Sequence, residues 1–162
     1  MRRIVLLAAL LGIVMVLPAR ADEILRRPSS GFPIASSVTV PGGSRLVFLS
    51  GNLADVADPA APAGSIERLG DTATQARSVL DKLARELAAV GMSMADVVKM
   101  NVFLVGDPRK NGTMDFEGLM EAYTRHFGTE AQKNLPARTT VQVAGLPLPG
   151  ALVEIEAIAA HP

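Results

Sequence analysis

The sequence predicts an α+β domain, a mixed β-sheet with two helices on one of its faces. Three observations carry this. Two segments place apolar residues at three- and four-residue spacing, while several others alternate with a period of two. The two kinds of segment interleave along the chain, as in a sheet with helices layered on it. The 162 residues make about one domain, and 49% of them are apolar. With one Tyr and no Trp, the core rests on Val, Leu, Ile, Ala and Met.

The N-terminus reads as a targeting segment. Arg2 and Arg3 precede an unbroken run of apolar residues and glycine from Ile4 to Leu17. Ala19-Arg20-Ala21 then supplies the small-x-small pattern of a cleavage site. Residues 1–21 are therefore expected to be a secretory signal peptide cut after Ala21. The mature protein would be periplasmic or secreted, with no stable membrane anchor. An uncleaved anchor is the alternative, but the run is short for a bilayer span and no stop-transfer pattern follows.

Processing would remove three arginines and no acid, which leaves a mildly acidic chain without a Lys/Arg block. No nucleic-acid partner is expected of such a surface. The chain has no cysteine, so thiol catalysis and Cys-zinc sites are excluded. His126 and His161 are far apart in sequence, and no metal site is expected.

Residues 22–36, with Pro28, Ser29, Ser30, Gly31 and Pro33, read as an extended leader with turns ahead of a domain over 37–162. Leu46-Val47-Phe48-Leu49 is a short strand ending at Ser50-Gly51, and residues 54–64 are a surface loop. Thr72-Ala73-Thr74-Gln75 fits a capping box. Behind it, Ala76, Val79, Leu80, Leu83, Leu87 and Val90 form a helical stripe closed by Gly91. From Asp96 to Val105 the chain alternates, with Val98, Met100, Val102 and Leu104 on one face and Lys99, Asn101 and Phe103 on the other. A polar loop from Gly106 to Thr113 follows. Asp115 opens a second helix with Phe116, Leu119, Met120, Tyr123 and Phe127 as its stripe, and Gly128 closes it.

Thr139–Ala144 and Leu152–Ala159 are the last strands, joined by a turn from Gly145 to Gly150 whose prolines cannot donate to a sheet. The two helices cover one sheet face. The other is partly apolar and calls for packing against further subunits.

Three places could carry chemistry. Pro136-Ala137-Arg138 sets an always-charged fork of donors just before a strand, which matches a carboxylate. By residue type alone, an ordinary surface arginine or a structural ion pair is the better account of it. Glu154 and Glu156 share one face of an apolar strand; they are general acid/base candidates if buried and simply solvated if not. Ser50-Gly51 could bring backbone N–H groups close to a ligand. There is no nucleophile elbow, P-loop or dinucleotide fingerprint.

These segments occur in order with Asp96-Val97-Val98-Lys99, Asp115-Phe116…Tyr123…Phe127, Leu135-Pro136-Ala137-Arg138-Thr139-Thr140-Val141 and Val153-Glu154-Ile155-Glu156-Ala157-Ile158-Ala159. Together they resemble the RidA family, also called the YjgF or L-PSP endoribonuclease-like family, over about residues 33 to 160. The resemblance implies a chorismate-mutase-like fold and a homotrimer with ligand sites between subunits. It implies hydrolysis of 2-imino acids to 2-oxo acids and ammonia, with no cofactor.

By resemblance, Arg138 grips the substrate carboxylate and Glu154 is associated with the attacking water. Ser50, Gly51 and Thr140 line the ligand. Three departures from the family pattern alter the pocket wall. Ser37 (or Ser36) stands where the family has a tyrosine, Met120 where it has an asparagine, and the loop Gly106–Met114 is enlarged. Two functional expectations follow: an imine deaminase, and a non-catalytic binder of small 2-oxo carboxylates in the same cleft. A ribonuclease has no support in the charge pattern.

Overall fold

The computed structural model describes residues 23–162. The expected signal peptide and its cleavage site after Ala21 lie outside the described residues. Six strands form one mixed sheet: β1 (Leu25–Pro28), β2 (Ala35–Thr39), β3 (Arg45–Leu53), β4 (Val97–Val105), β5 (Ala137–Val143) and β6 (Val153–His161), in the order β1-β2-β5-β4-β6-β3. β5 runs parallel to β2 and β4; the other neighbours are antiparallel. Three helices complete the fold: a single turn α1 (Ile66–Leu69), the long α2 (Thr72–Ala89) and α3 (Phe116–Tyr123). No helix among the described residues is long and apolar enough to cross a membrane.

Alternation decides which face each strand buries. On β4, Met100, Val102 and Leu104 are fully buried beneath the helices. Their β6 neighbours Val153, Ile155, Ala157 and Ala159 face the same way. From α2, Ala76, Val79, Leu80, Leu83 and Leu87 close over them, and Leu119, Tyr123 and Phe127 extend the same core. This is the α+β layer that the periodicities predict, with α2 and α3 on one face. The opposite face stays open, and Leu46, Phe48 and Val141 stand on it with 48%, 72% and 41% of their surface exposed.

The ends of α2 separate right expectations from wrong ones. Its C-terminus is a Schellman motif. Gly91 has φ of 74°, its N–H donates to Ala88, and Met92 N–H donates to Leu87 at 2.8 Å. The N-terminus is not the expected Thr72 capping box. Asp71 is the cap, its carboxylate accepting from Thr74 N–H at 2.8 Å. Thr72 is buried instead, with no partner for its hydroxyl. Gln75 is fully buried as well. It donates to the carbonyls of Gly70 and Gly150 and accepts from Leu152 N–H, which joins the start of α2 to the start of β6.

The leader also differs from expectation. Its residues pair as β1 on β2, and position 36 falls inside β2. The physical reason is Arg26. Its guanidinium donates to the carbonyls of Val97, Ala95 and Leu135 at 2.8–3.1 Å, which pins the strand to the edges of β4 and of the segment entering β5.

The enlarged loop after β4 is ordered around Asp107. That buried carboxylate accepts from the backbone and side chain of Arg109, which lowers its pKa from the ordinary carboxylate value. Asp115 caps α3 as expected, accepting from Gly118 N–H.

Candidate functional site

Arg138 sits one residue into β5, level with Met100 of β4, so its side chain leaves the sheet on the helix-covered face. There α3 presents Phe116, Met120 and Tyr123 at spacings of four and three, on a single side of the helix. The guanidinium carbon lies 4.2 Å from the centre of the Tyr123 ring and 5.7 Å from that of Phe116. Nη1 points at Met120 Sδ, 3.4 Å away. Tyr123 is fixed beneath it: its hydroxyl donates to Pro33 O at 3.0 Å, and its ring stacks on Phe127.

Burial pulls the Arg138 guanidinium below the ordinary arginine value and pushes the Tyr123 phenol up to about 12. Arginine remains charged under such a shift, and the phenol stays neutral. No carboxylate among the described residues engages the Arg138 fork. A half-buried cation with aromatic support and free donors is an anion site in waiting.

Thr140 is two residues along the same strand face, and its buried hydroxyl has no hydrogen-bond partner. Arg138, Thr140 and Met120 are thus brought together. Ser37 is exposed on β2, paired with Arg27. The ladder from β2 to β5 is the single pair Ala35–Ala137, and alternation from it puts Ser36, rather than Ser37, on the Arg138 face.

A second group forms elsewhere. β3 bulges between Leu49 and Asn52, and this carries Ser50-Gly51 up to β6. Gly51 lies so close to Glu154 that a methyl group there would overlap its carboxylate oxygen. Glu154 is level with Phe103 of β4 and so belongs to the open face. Glu156 shares that face and accepts from Asn101 Nδ2 at 2.7 Å. A recess of about 220 Å³ beside it is lined by Phe48, Ser50, Lys99, Asn101 and Glu156.

The two groups do not meet within one chain. Arg138 and Glu154 are on opposite faces, two strands and three residues apart, or roughly 14 Å between Cα atoms by sheet geometry. Among the described residues, no group of three or more His, Asp or Glu side chains could hold a metal ion.

By their spacing in the sequence, Phe116 and Tyr123 are core residues of α3 and nothing more. Their role under Arg138 depends on which way β5 faces, and the strand's own alternation leaves that open.

Residues 33–161 match the protein-family model Endoribonuclease L-PSP. The chain belongs to this family, the RidA family of the sequence resemblance. It is 38% identical over 132 residues to Protein DfrA of Myxococcus xanthus, covering 82% of this chain and 88% of that one. It is 33% identical over 138 residues to the 2-iminobutanoate/2-iminopropanoate deaminase of Capra hircus, covering 83% and 84%. Among solved structures, the YjgF gene product of E. coli superposes with a TM-score of 0.55 at 32% identity, over 76% of this RidA-family chain and 85% of that chain.

Proposed function

We propose that this RidA-family protein hydrolyses 2-imino acids to 2-oxo acids and ammonia. The observation that carries the reading is the Arg138 guanidinium, which is half-buried, stacked on Tyr123 and without a carboxylate partner among the described residues. A relative's name, 2-iminobutanoate/2-iminopropanoate deaminase, supports the same chemistry.

In this reading Arg138 takes the substrate carboxylate in its fork and fixes the iminium carbon in place. Glu154 takes a proton from water as the water oxygen bonds to that carbon. Glu154 returns that proton to the nitrogen of the tetrahedral adduct; as the C–N bond breaks, the carboxylate takes the hydroxyl proton and later releases it to solvent, so that a 2-oxo acid and ammonia leave. An iminium carbon is already electrophilic, so one base and one anchor suffice.

Arg138 and Glu154 lie on opposite faces of one chain, so the site needs Glu154 from a second copy. The homotrimer implied by the family resemblance supplies such a pairing, and the exposed Phe48 and Val141 supply apolar area to bury. We also propose that the protein is exported and acts as a chain beginning at Asp22. Mass spectrometry of protein from a periplasmic fraction checks this, because an intact Met1 terminus would contradict it.

The direct test supplies imines from an amino-acid oxidase and follows ammonia release. Wild type accelerates release above the spontaneous rate, and Arg138→Ala returns it to that rate. Equal activity of the two proteins would remove the mechanism.

The second reading, a binder of 2-oxo carboxylates without turnover, draws on one feature. The anchor of Arg138, Tyr123 and Thr140 is complete in one chain, whereas Glu154 is not beside it. Saturable binding of 2-oxo acids with release at the spontaneous rate would favour it.

A further inference from the structure

We propose that Phe32 and Phe116 form a side-chain pocket beside Arg138, which selects 2-imino and 2-oxo acids with apolar side chains several carbons long. This rests on the reading of Arg138 as the carboxylate anchor. Three observations lead to it.

The first is the sidedness of α3. Phe116, Met120 and Tyr123 face Arg138, while Glu117 and Glu121 of the same helix line a separate charged recess with Asp71, Asp107 and Arg109. The wall beside the anchor therefore carries no charge from α3. The second is Phe32. Its ring meets that of Phe116 at 6.0 Å between centroids and 52° between planes, yet 48% of its surface is exposed. A half-exposed ring packed on Phe116, which itself lies 5.7 Å from the Arg138 guanidinium, is apolar area left available to a ligand.

The third is how Phe32 is held. Its carbonyl accepts from Ile34 N–H at 2.8 Å, and the carbonyl of Pro33 accepts from the Tyr123 hydroxyl at 3.0 Å. The same tyrosine underlies Arg138 at 4.2 Å. One buried side chain thus fixes both the anchor and the turn that carries Phe32, so the distance between carboxylate site and apolar wall is set in advance. A ligand held by its carboxylate extends its C2 substituent along Met120 and Phe116 toward Phe32. An acidic or amide side chain laid on the rings of Phe116 and Phe32 loses water and gains no hydrogen bond from them.

Each methylene moved from water onto such a wall improves binding by about fourfold. The test is calorimetric titration of the mature protein with pyruvate, 2-oxobutanoate, 2-oxopentanoate, 2-oxohexanoate and oxaloacetate. The expected result is a Kd that tightens about fourfold per added carbon over at least two steps, with oxaloacetate weaker than 2-oxobutanoate. In Phe32→Ala the ratio of the pyruvate Kd to the 2-oxohexanoate Kd falls about tenfold. Phe32 is 48% exposed, so the variant should keep the fold, which its circular dichroism spectrum checks.

A flat series in wild type overturns the proposal. So does a Phe32→Ala protein that weakens every ligand by the same factor or none. If Arg138→Ala still binds the whole series, the anchor itself is misassigned and the pocket falls with it. Ammonia release from the matching imines is measured separately. Absent turnover beside an intact ladder of Kd values removes the deaminase reading and upholds the pocket.

Discussion

Arg138 is held by contacts that do not use up its charge. A ring and a thioether orient the guanidinium, and neither offers it a full negative charge. A lysine there would keep the charge but lose the planar fork and the stacking on Tyr123. Arg138→Lys should weaken 2-oxo acid binding about 10- to 100-fold, an amount in keeping with the loss of one or two charge-assisted hydrogen bonds. Titration calorimetry at fixed salt measures it.

His126 is a second residue whose setting has a readable consequence. It is half-buried, and burial holds its imidazole below the ordinary value of 6.5 despite Asp81 at 3.5 Å. The folded state thus prefers the neutral ring, and the unfolded chain binds the proton first. The contribution is fully present above pH 6.5 and is lost as pH falls from there through the folded-state value. Melting temperatures from pH 8 to pH 5 should fall less steeply for His126→Gln than for wild type.

At the scale of elements, Gln75 ties α2 to the approach of β6 through three hydrogen bonds to backbone groups. Gln75→Leu fits the volume but leaves those groups without partners. It should cost about 3 kcal/mol or more in urea denaturation at fixed protein concentration. Asp71→Ala removes only a cap and should cost about 1 kcal/mol by the same measure.

This element also shows what a sequence can and cannot carry. The stripe of α2 and its glycine stop were legible because helical period and left-handed φ are local properties. Gln75 looked like a local cap because its true partners, Gly150 and Leu152, are brought to it only by the tertiary fold. β1 was illegible for a similar reason: Arg26-Arg27-Pro28 has no strand pattern, and the carbonyls that hold Arg26 come from β4 and the entry to β5. The candidate site was legible one residue at a time. Alternation within β5 and β6 could be counted from the sequence, but the register between them could not. The opposite facing of Arg138 and Glu154 emerged only from the β5-β4-β6 pairing.

The whole molecule presents one covered sheet face and one open face. Phe48, at 72% exposure, and Val141, at 41%, have no covering layer among the described residues. Phe48→Asp should shift the protein toward a monomer in analytical ultracentrifugation and lower imine turnover with it, because the proposed site takes Glu154 from a second copy. In the proposed site, Arg138 of one copy and Glu154 of another act on the same substrate.

Mixing tests this directly. Arg138→Ala and Glu154→Gln proteins, each expected to be inactive on oxidase-generated imines, are unfolded together and refolded in equal amounts. Random assembly of a ring gives about one site in four with both residues intact. Ammonia release should recover to about a quarter of the wild-type rate. Release that stays at the spontaneous level in the refolded mixture would contradict it.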